Sequence, residues 1–351
     1  MPRAKKKKYA AILTDTHFGA RKGSQVLHDH FEKFYNEVFF PALDERKIDT
    51  VIHMGDVFDV RKGIDYWSLD WSKRVVFNPL RDRNIDTHII VGNHDIFYRQ
   101  SLKVNSPGLN LTEYTNIQTY SEPQTVKIKG CDLFFIPWVC EENADEFVTQ
   151  RDASKAKIAL GHLEIAGFYA NSTYQVQHGL DAGLFGQFDK VYSGHFHKKN
   201  SSGNISYLGN TYQMYWNDCG DTRGFHIMDL ETGDVEFIPN PNYLFHKIYY
   251  NEDNSKLINH TKYRDTYVKV IVEGRSTPAR LNKLIDNLYK TGVHDVKVIE
   301  NFELSIDEDT EIESEDTLTT LTNYVNALED DVNKENLAEI LRSLYIEAQE
   351  V

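Results

Sequence analysis

The stretch Thr87-His88-Ile89-Ile90-Val91-Gly92-Asn93-His94-Asp95 places an amide, an imidazole and a carboxylate directly behind an apolar run. The apolar run predicts a buried strand, and the polar residues predict a loop at the carboxyl end of that strand. A polar turn is the alternative interpretation, since Gly, Asn and Asp are all common turn residues. The rest of the chain favours an active-site loop over a simple turn, because four similar segments recur in the sequence.

Each of these segments follows a short apolar run of the kind that forms a buried strand. Helical patterns at residues 25–46 and 66–83 separate the first three runs, and this alternation predicts a parallel sheet. The first three loops then lie on one edge of the sheet. The five segments are Asp15-Thr16-His17, Gly55-Asp56, Gly92-Asn93-His94-Asp95, Gly161-His162 and Gly194-His195-Phe196-His197.

Composition narrows the class of protein. The 351 residues are 40% hydrophobic, enough for a sizeable core, yet no apolar run approaches the ~20 residues that span a bilayer. The apolar stretch behind the basic N-terminus is too short for a signal peptide. Three cysteines without CxxC spacing argue against a disulfide framework and against a thiolate metal site. We therefore expect a cytoplasmic protein.

The net charge of −14 is concentrated at the C-terminus. Residues 300–351 hold sixteen Asp or Glu against two Lys or Arg, so the remaining 299 residues are neutral as a whole. A neutral body neither requires nor excludes nucleic acid, because local patches decide binding. Residues 305–317 are acidic and poor in large apolar side chains, which predicts a linker, and amphipathic helices are predicted behind it.

The polar side chains of the five segments form a ligand set for divalent metal ions. They offer two carboxylates, one amide and four imidazoles, with His94 and Asp95 in addition. Such ligands without thiolates suit Mn²⁺, Mg²⁺, Fe²⁺ or Zn²⁺, and Mn²⁺ fits a mixed site with carboxylates well. Seven ligands exceed the needs of one ion but suit two ions that share a bridging carboxylate. The seven are Asp15, His17, Asp56, Asn93, His162, His195 and His197.

The order D-x-H, G-D, G-N-H-D, G-H and G-H-x-H resembles the calcineurin-type metallophosphoesterase superfamily. Within it, Leu13–Gly19 and Gly55–Asp59 resemble the nuclease subunit of SbcC–SbcD type DNA-repair complexes. Gly55–Lys62, Ile136–Asn143 and Arg223-Gly224-Phe225 are similar to the recombination endonuclease subunit of T-even-like bacteriophages. The resemblance covers nearly the whole chain.

This resemblance implies an α/β (α+β) fold, a four-layer αββα metallophosphoesterase sandwich with a small β-α-β capping domain and C-terminal helices. Residues 1–242 would form the nuclease domain and residues 243–304 the DNA-binding cap. The acidic linker at 305–317 would lead to a helical segment, 318–351, that binds an ATPase partner.

The resemblance also implies a two-metal DNA nuclease with Mn²⁺, or else Mg²⁺, acting 3′→5′ on duplex ends and as an endonuclease on single strands. His94 would orient the phosphate or protonate the leaving oxygen, and Asp95 would fix the tautomer of His94. A mere spacer role is the alternative for His94. By motif, Asp15, His17 and His197 would hold one ion, Asn93, His162 and His195 the other, and Asp56 would bridge the two.

One position departs from the family pattern. Cellular members carry a histidine three residues after the bridging aspartate, where it helps to handle the phosphate, and here that position is Asp59. A carboxylate donates no proton at neutral pH unless its pKa is raised, so His53 or His94 would share that work. We expect Asp59 to be a structural cap without a catalytic role.

The resemblance further implies a homodimer that works with an SbcC-like SMC-family ATPase through the C-terminal helices, in an infected bacterial host if a phage encodes the chain. Trp67 and Trp71, spaced i and i+4, suit a dimer seam and ordinary core packing equally. Two rival functions are a hydrolase of small phosphoesters and a metal-free scaffold of the same fold. The cap and the helical tail argue against the first, and the complete ligand set argues against the second.

Overall fold

The computed structural model describes residues 8–169, 175–251, 258–273 and 277–299, together with Leu337. These residues divide into two compact units. The predicted linker and C-terminal helices lie outside the described residues, apart from Leu337. The first unit contains the described residues up to Met214, together with Asp218–His246 and Asp265–Tyr267. The second unit contains Tyr215–Asn217, the described residues of Lys247–Arg264, and the described residues from Val268 onward.

Seventeen strands are present in the described part of the chain, and we number them in chain order. They are β1 (Tyr9–Leu13), β2 (Thr50–His53), β3 (Asp86–Ile90), β4 (Ile96–Tyr98), β5 (Ser101–Asn105), β6 (Ile117–Tyr120), β7 (Gln124–Ile128), β8 (Cys131–Ile136), β9 (Ile158–His162), β10 (Lys190–Gly194), β11 (Asn200–Ser202), β12 (Ile205–Tyr207), β13 (Gly224–Asp229), β14 (Val235–Pro239), β15 (Phe245–Tyr250), β16 (Tyr267–Val272) and β17 (Asp295–Ile299).

The described residues also form eight α-helices and several shorter helical turns. The helices are α1 (Ala20–Gly23), α2 (Gln25–Phe34), α3 (Phe40–Arg46), α4 (Tyr66–Ser72), α5 (Asn78–Asp82), α6 (Ser106–Asn110), α7 (Ala144–Ala153) and α8 (Pro278–Thr291). The 3₁₀ turns are Ala182–Phe185, Trp216–Asp218 and His260–Tyr263.

Two six-stranded sheets form most of the first unit, in the orders β14-β13-β1-β2-β3-β6 and β11-β12-β10-β9-β8-β7. In each sheet four neighbouring strands run parallel, namely β1, β2, β3 and β6 in one and β8, β9, β10 and β12 in the other. The remaining strands pair antiparallel. The parallel pairing of β1, β2 and β3 confirms the sequence prediction and brings their carboxyl ends to one edge.

The two sheets pack face to face because successive side chains of a strand point to opposite sides. From β8, Leu133 and Phe135 enter the core between the sheets, where they join Ile12 of β1. Phe134 points the other way, into an outer cluster with Phe147 of α7. Strands that are buried on both faces read as continuous apolar runs, which is why their positions could be predicted. The layers confirm the predicted metallophosphoesterase sandwich.

The two long predicted helices each contain a π-helical turn, Tyr35–Phe39 in the first and Lys73–Phe77 in the second. Each π turn ends two residues before a proline, Pro41 or Pro79. Proline lacks an N–H, and its ring crowds the carbonyl four residues earlier, so a wider turn accommodates it. The helical path therefore continues past both prolines.

The second unit is built on a three-stranded sheet, β15-β16-β17, with α8 packed against it. Leu281, Leu284 and Leu288 on one face of α8 share a core with Val268 and Val270 of β16. The sequence predicted β16, α8 and β17 as a β-α-β unit, but it did not predict β15 beside them.

Two expectations from composition can be compared with the structure. Cys131, Cys140 and Cys219 are all free, which confirms the absence of a disulfide framework. Within the described ranges, no helix has both the length and the apolar character needed to cross a membrane.

Candidate metal centre

All seven predicted ligand side chains meet at the carboxyl ends of β1, β2, β3, β9 and β10. The first three strands belong to one sheet and the last two to the other. Across that junction the backbone N–H of His195 donates to the Asp15 carboxylate over 3.0 Å. The structure therefore brings together residues, such as Asp15 and His195, that lie 180 positions apart in the chain.

One cluster contains Asp15, His17 and His197. The Nε2 atoms of the two imidazoles lie 3.1 Å apart, and His197 Nε2 lies 3.9 Å from Asp15 Oδ1. The three side chains are between 0% and 14% exposed. Carboxylate and imidazole donors that converge in a buried space form a site for a cation.

The second cluster contains Asn93, His162 and His195. Asn93 Oδ1 lies 2.8 Å from His162 Nε2 and 3.0 Å from His195 Nδ1. The other ring nitrogen of His162, Nδ1, donates to the carbonyl of Met54 over 2.8 Å. This bond fixes the ring and directs Nε2 into the cluster. The indole of Trp138 lies against His195, with ring centroids 5.1 Å apart.

Asp56 lies between the two clusters. Its Oδ2 is 3.2 Å from His162 Nε2 and 3.7 Å from His17 Nε2, while Oδ1 accepts the backbone N–H of His94 over 2.8 Å. Burial acts to raise the pKa of Asp56, but the neighbouring histidines hold the pKa well below its usual range. An ionised carboxylate in this position can contact a cation in either cluster.

The donor sets fit divalent metal ions. Donor atoms lie within 4.8 Å of one another in the group Asp15, His17 and His197, and likewise in the group Asp56, His162 and His195. Oxygen and imidazole nitrogen are the donors that Mn²⁺, Mg²⁺, Fe²⁺ and Zn²⁺ accept in different proportions. The arrangement therefore provides for divalent ions in two adjoining places.

The charged groups of the centre shift one another's pKa. Burial acts to lower the pKa of His17, but the hydrogen bond to Asp59 and the charges of Asp56, Asp59 and Asp15 raise it to about 10. Burial also acts to lower the pKa of His162, but the charge of Asp56 outweighs it and raises that pKa to about 9. Protonated His17 and His162 thus offset the carboxylate charges in the metal-free protein, and a metal ion must displace the two histidine protons on binding.

Four of the candidate ligands have a left-handed backbone conformation, which residues with a side chain rarely adopt. The φ angles are 52° at Asp15, 43° at His17, 53° at Asp56 and 84° at His195. Each such position costs about 1–3 kcal/mol and persists only where the surrounding structure enforces it. The concentration of this strain at the donor residues marks the centre as a functional site.

Asp95 has a different role from the one that the sequence predicted. Its Oδ2 accepts the backbone N–H groups of Asp56 and Gly92, each over 2.9 Å. His94 Nδ1 bonds with the backbone carbonyl of Asp59 over 2.7 Å, so that carbonyl orients the His94 ring. The prediction that Asp95 fixes the tautomer of His94 is therefore wrong. Asp95 instead holds the loop behind β2 to the loop behind β3.

Two arginines that the sequence analysis did not assign support the ligand loops. Arg61 Nε donates to the backbone carbonyl of Asn93 over 2.7 Å. Arg223 donates to the carbonyl of His197 and forms a buried ion pair with Asp218 at 2.5 Å. Both arginines lie in stretches that carried the family resemblance, so the motif itself was the available signal.

Gly92 is a position where an added side chain would disturb the centre directly. A Cβ there would lie 3.0 Å from the Asp56 carboxyl carbon and closer still to the Asp56 backbone nitrogen. We expect Gly92→Ala to displace Asp56, to lower the free energy of unfolding by about 1–3 kcal/mol and to weaken Mn²⁺ binding measured by calorimetry. Gly63→Ala is the matched control, because no atom lies within 4 Å of a Cβ at that position. Equal Mn²⁺ affinity in both variants would contradict the placement of Asp56 in the centre.

Comparison with known proteins agrees with this geometry. The sequence matches the calcineurin-like phosphoesterase family over residues 10–199, a range that includes all five ligand loops. Exonuclease subunit 1 of Enterobacteria phage T4 is 34% identical over 305 residues, which cover 86% of this chain and 88% of that protein.

Two more distant relatives are DNA-repair and nuclease proteins by name. DNA double-strand break repair protein Mre11 of Methanocaldococcus jannaschii is 26% identical over 248 residues, 64% of this chain and 63% of that protein. The SbcD chain of the nuclease SbcCD from Staphylococcus saprophyticus is 22% identical over 269 residues, 64% of this chain and 67% of that protein. The family match covers more than half of the chain and confirms the predicted resemblance. The chain belongs to the calcineurin-like phosphoesterase family.

Proposed function

We propose that this chain, a metallophosphoesterase nuclease related to the phage exonuclease subunit and to the Mre11 and SbcD proteins, hydrolyses phosphodiesters at DNA ends with two Mn²⁺ ions. The observation that carries the proposal is the pair of donor clusters on either side of the Asp56 carboxylate. Asp15, His17 and His197 would hold one ion, Asn93, His162 and His195 the other, and Asp56 would contact both.

The chemistry divides between the ions and the protein. Two divalent ions, when bound, would supply a water of lowered pKa and positive charge at the phosphate oxygens. His94 supplies the remaining function, because its backbone N–H donates to Asp56 and its Nδ1 bonds with the Asp59 carbonyl. These bonds hold the ring beside the bridging carboxylate and leave Nε2 for the substrate. In the imidazolium form Nδ1–H donates to the Asp59 carbonyl, and Nε2–H can pass its proton to the leaving sugar oxygen or donate a hydrogen bond to the phosphate.

Replacement of His94 tests this assignment. We expect His94→Ser to lower Mn²⁺-dependent digestion of end-labelled duplex DNA by about 10²–10⁴-fold, with Mn²⁺ binding retained. His178→Ser is the control, because that imidazole is 67% exposed and belongs to neither ligand cluster. Undiminished cleavage by His94→Ser would remove His94 from the mechanism.

We also propose 3′→5′ polarity on duplex DNA and endonuclease activity on single strands, as the resemblance implies. Labelling each end of the duplex in turn measures the polarity. The rival function, hydrolysis of small phosphoesters, predicts cleavage of a phenyl phosphodiester without cleavage of DNA, even when an ATPase partner is added.

The predicted cap, residues 243–304, supports DNA contact in addition to the cleavage site. Residues 243–304 contain ten Lys or Arg and eight Asp or Glu, a balance of +2 in a chain whose total is −14. Lysine and arginine neutralise phosphates and supply most of the sequence-independent affinity for DNA. We therefore assign residues 243–304 as the DNA-binding cap of the nuclease domain at 1–242.

A homodimer and an SbcC-like SMC-family ATPase complete the proposed assembly. Trp71 is 1% exposed and packs in the core, so it takes no part in the predicted dimer seam. Tyr66 is 91% exposed and Trp67 42%, and these two aromatic side chains on α4 support a dimer surface there. One relative is by its name a subunit of a nuclease complex, SbcCD, which supports a partner protein. We assign its contact to residues 318–351, from their sequence pattern alone.

The amphipathic pattern predicted for residues 318–351, which includes Leu341 and Leu344, gives a test of the partner contact. We expect the double variant Leu341→Glu and Leu344→Glu in the full chain to abolish co-purification with an SbcC-like ATPase, because charges replace the apolar contact. Ser343→Glu, with one added charge between the two positions, is expected to leave co-purification intact. Sedimentation of the nuclease chain alone is expected to show the same dimer in every variant. Retained ATPase binding in the double variant would contradict the assignment.

A further inference from the structure

Asp59 lies against the ring nitrogen of His17 that faces away from the proposed ions. Its Oδ1 is 3.1 Å from His17 Nδ1, whereas His17 Nε2 faces His197 Nε2 at 3.1 Å and the Asp56 carboxylate at 3.7 Å. The His17 side chain is 3% exposed and that of Asp59 is 18% exposed. An imidazole held through one nitrogen directs the other, and carboxylates commonly hold metal-binding histidines in this way.

Backbone hydrogen bonds set the register of this contact. The N–H of His17 donates to the carbonyl of Asp56 over 3.1 Å, and the N–H of Phe18 donates to the carbonyl of Val57 over 2.8 Å. In the opposite direction, the N–H of Asp59 donates to the carbonyl of Phe18 over 3.1 Å. The loops behind β1 and β2 thus continue the parallel pairing of their strands, and this pairing places Asp59 beside His17.

The main chain of Asp59 makes a second contact with the centre. Its carbonyl lies 2.7 Å from His94 Nδ1, so one residue contacts two imidazoles through two different groups. Only the contact with His17 depends on the side chain. A substitution at position 59 can therefore remove the support of His17 and leave the support of His94 in place.

We propose that Asp59 is a positioning residue of the metal centre, whose carboxylate holds His17 with Nε2 directed toward Asp15 and His197. The proposal rests on the metal-dependent function proposed above. It corrects the expectation of a structural cap, and it differs from the phosphate-handling task of the histidine that related cellular proteins carry at this position. The carboxylate acts on the ligand, and His94 remains to act on the phosphate.

Calorimetric titration of the full chain with Mn²⁺, without DNA, tests this role. We expect two ions per wild-type chain and a loss of about 10–100-fold in affinity at one of the two sites in Asp59→Ala. Asp59→Asn keeps a hydrogen-bond acceptor without the charge, so a smaller loss is expected. In DNA digestion, Asp59→Ala is expected to reach the wild-type kcat at saturating Mn²⁺, because the main-chain support of His94 remains. Asp132→Ala, at an exposed carboxylate in β8, is the control.

Two results would overturn the proposal. One is unchanged Mn²⁺ affinity with a kcat that added Mn²⁺ does not restore, since this would place Asp59 on the phosphate. The other is a stoichiometry of three ions that falls to two in Asp59→Ala. In that case Asp59 would itself be a ligand, in the group with His17 and His94 whose donor atoms lie within 4.8 Å.

Two further measurements distinguish these results from misfolding of a variant and from failure of the proposed nuclease function. A single cooperative unfolding transition in EDTA is expected for wild type, Asp59→Ala and Asp59→Asn, which shows that folded proteins are compared. A wild-type chain that binds two Mn²⁺ ions but cuts no DNA would overturn the proposed nuclease function and would leave the role of Asp59 unaffected.

Discussion

The metal centre depends on one buried carboxylate, that of Asp95. It accepts backbone N–H groups from Gly92, Asp56 and Val57, so a single side chain holds the loops behind β2 and β3 together. Burial and the Asp56 charge raise the pKa of Asp95 to about 6, against the effect of these backbone hydrogen bonds. Because Asp95 fixes the backbone of Asp56, the Asp56 carboxylate stays between the two clusters of histidines. Every chemical role that we assign to the centre follows from that position.

The arrangement is costly, and the sandwich around it supplies the stability. Left-handed backbone at four ligand positions costs about 1–3 kcal/mol each, and the buried carboxylates and imidazoles lose hydration in addition. The core between the sheets offsets this cost, because each large side chain buried there, such as Phe135 or Leu160, contributes about 1.5–3 kcal/mol. Two stacked sheets also explain why the ligands come from distant segments, since each sheet contributes the loops at its own strand ends.

The sequence predicted the elements whose pattern is local and left out those that depend on distant partners. Apolar runs located β1, β2, β3, β9 and β10, and the polar residues behind them identified the donor set. The hairpin β4–β5 was not predicted, because its strands are short and partly exposed. The partners of Asp95 and Asp59 were assigned wrongly or not at all, since hydrogen bonds across about 40 residues leave no periodic signal. The π turns before Pro41 and Pro79 were likewise not predicted, because the prediction used the spacing of a regular α-helix.

We propose above all that Asp56 joins two metal sites in one centre. Electron paramagnetic resonance of the full chain loaded with Mn²⁺ tests it most directly, because two Mn²⁺ ions that share a carboxylate are magnetically coupled. We expect two ions per chain with a coupled dimanganese spectrum, and its conversion in Asp56→Ala to the six-line signal of isolated ions. A single ion per chain, or two ions with uncoupled six-line spectra in the wild type, would contradict it.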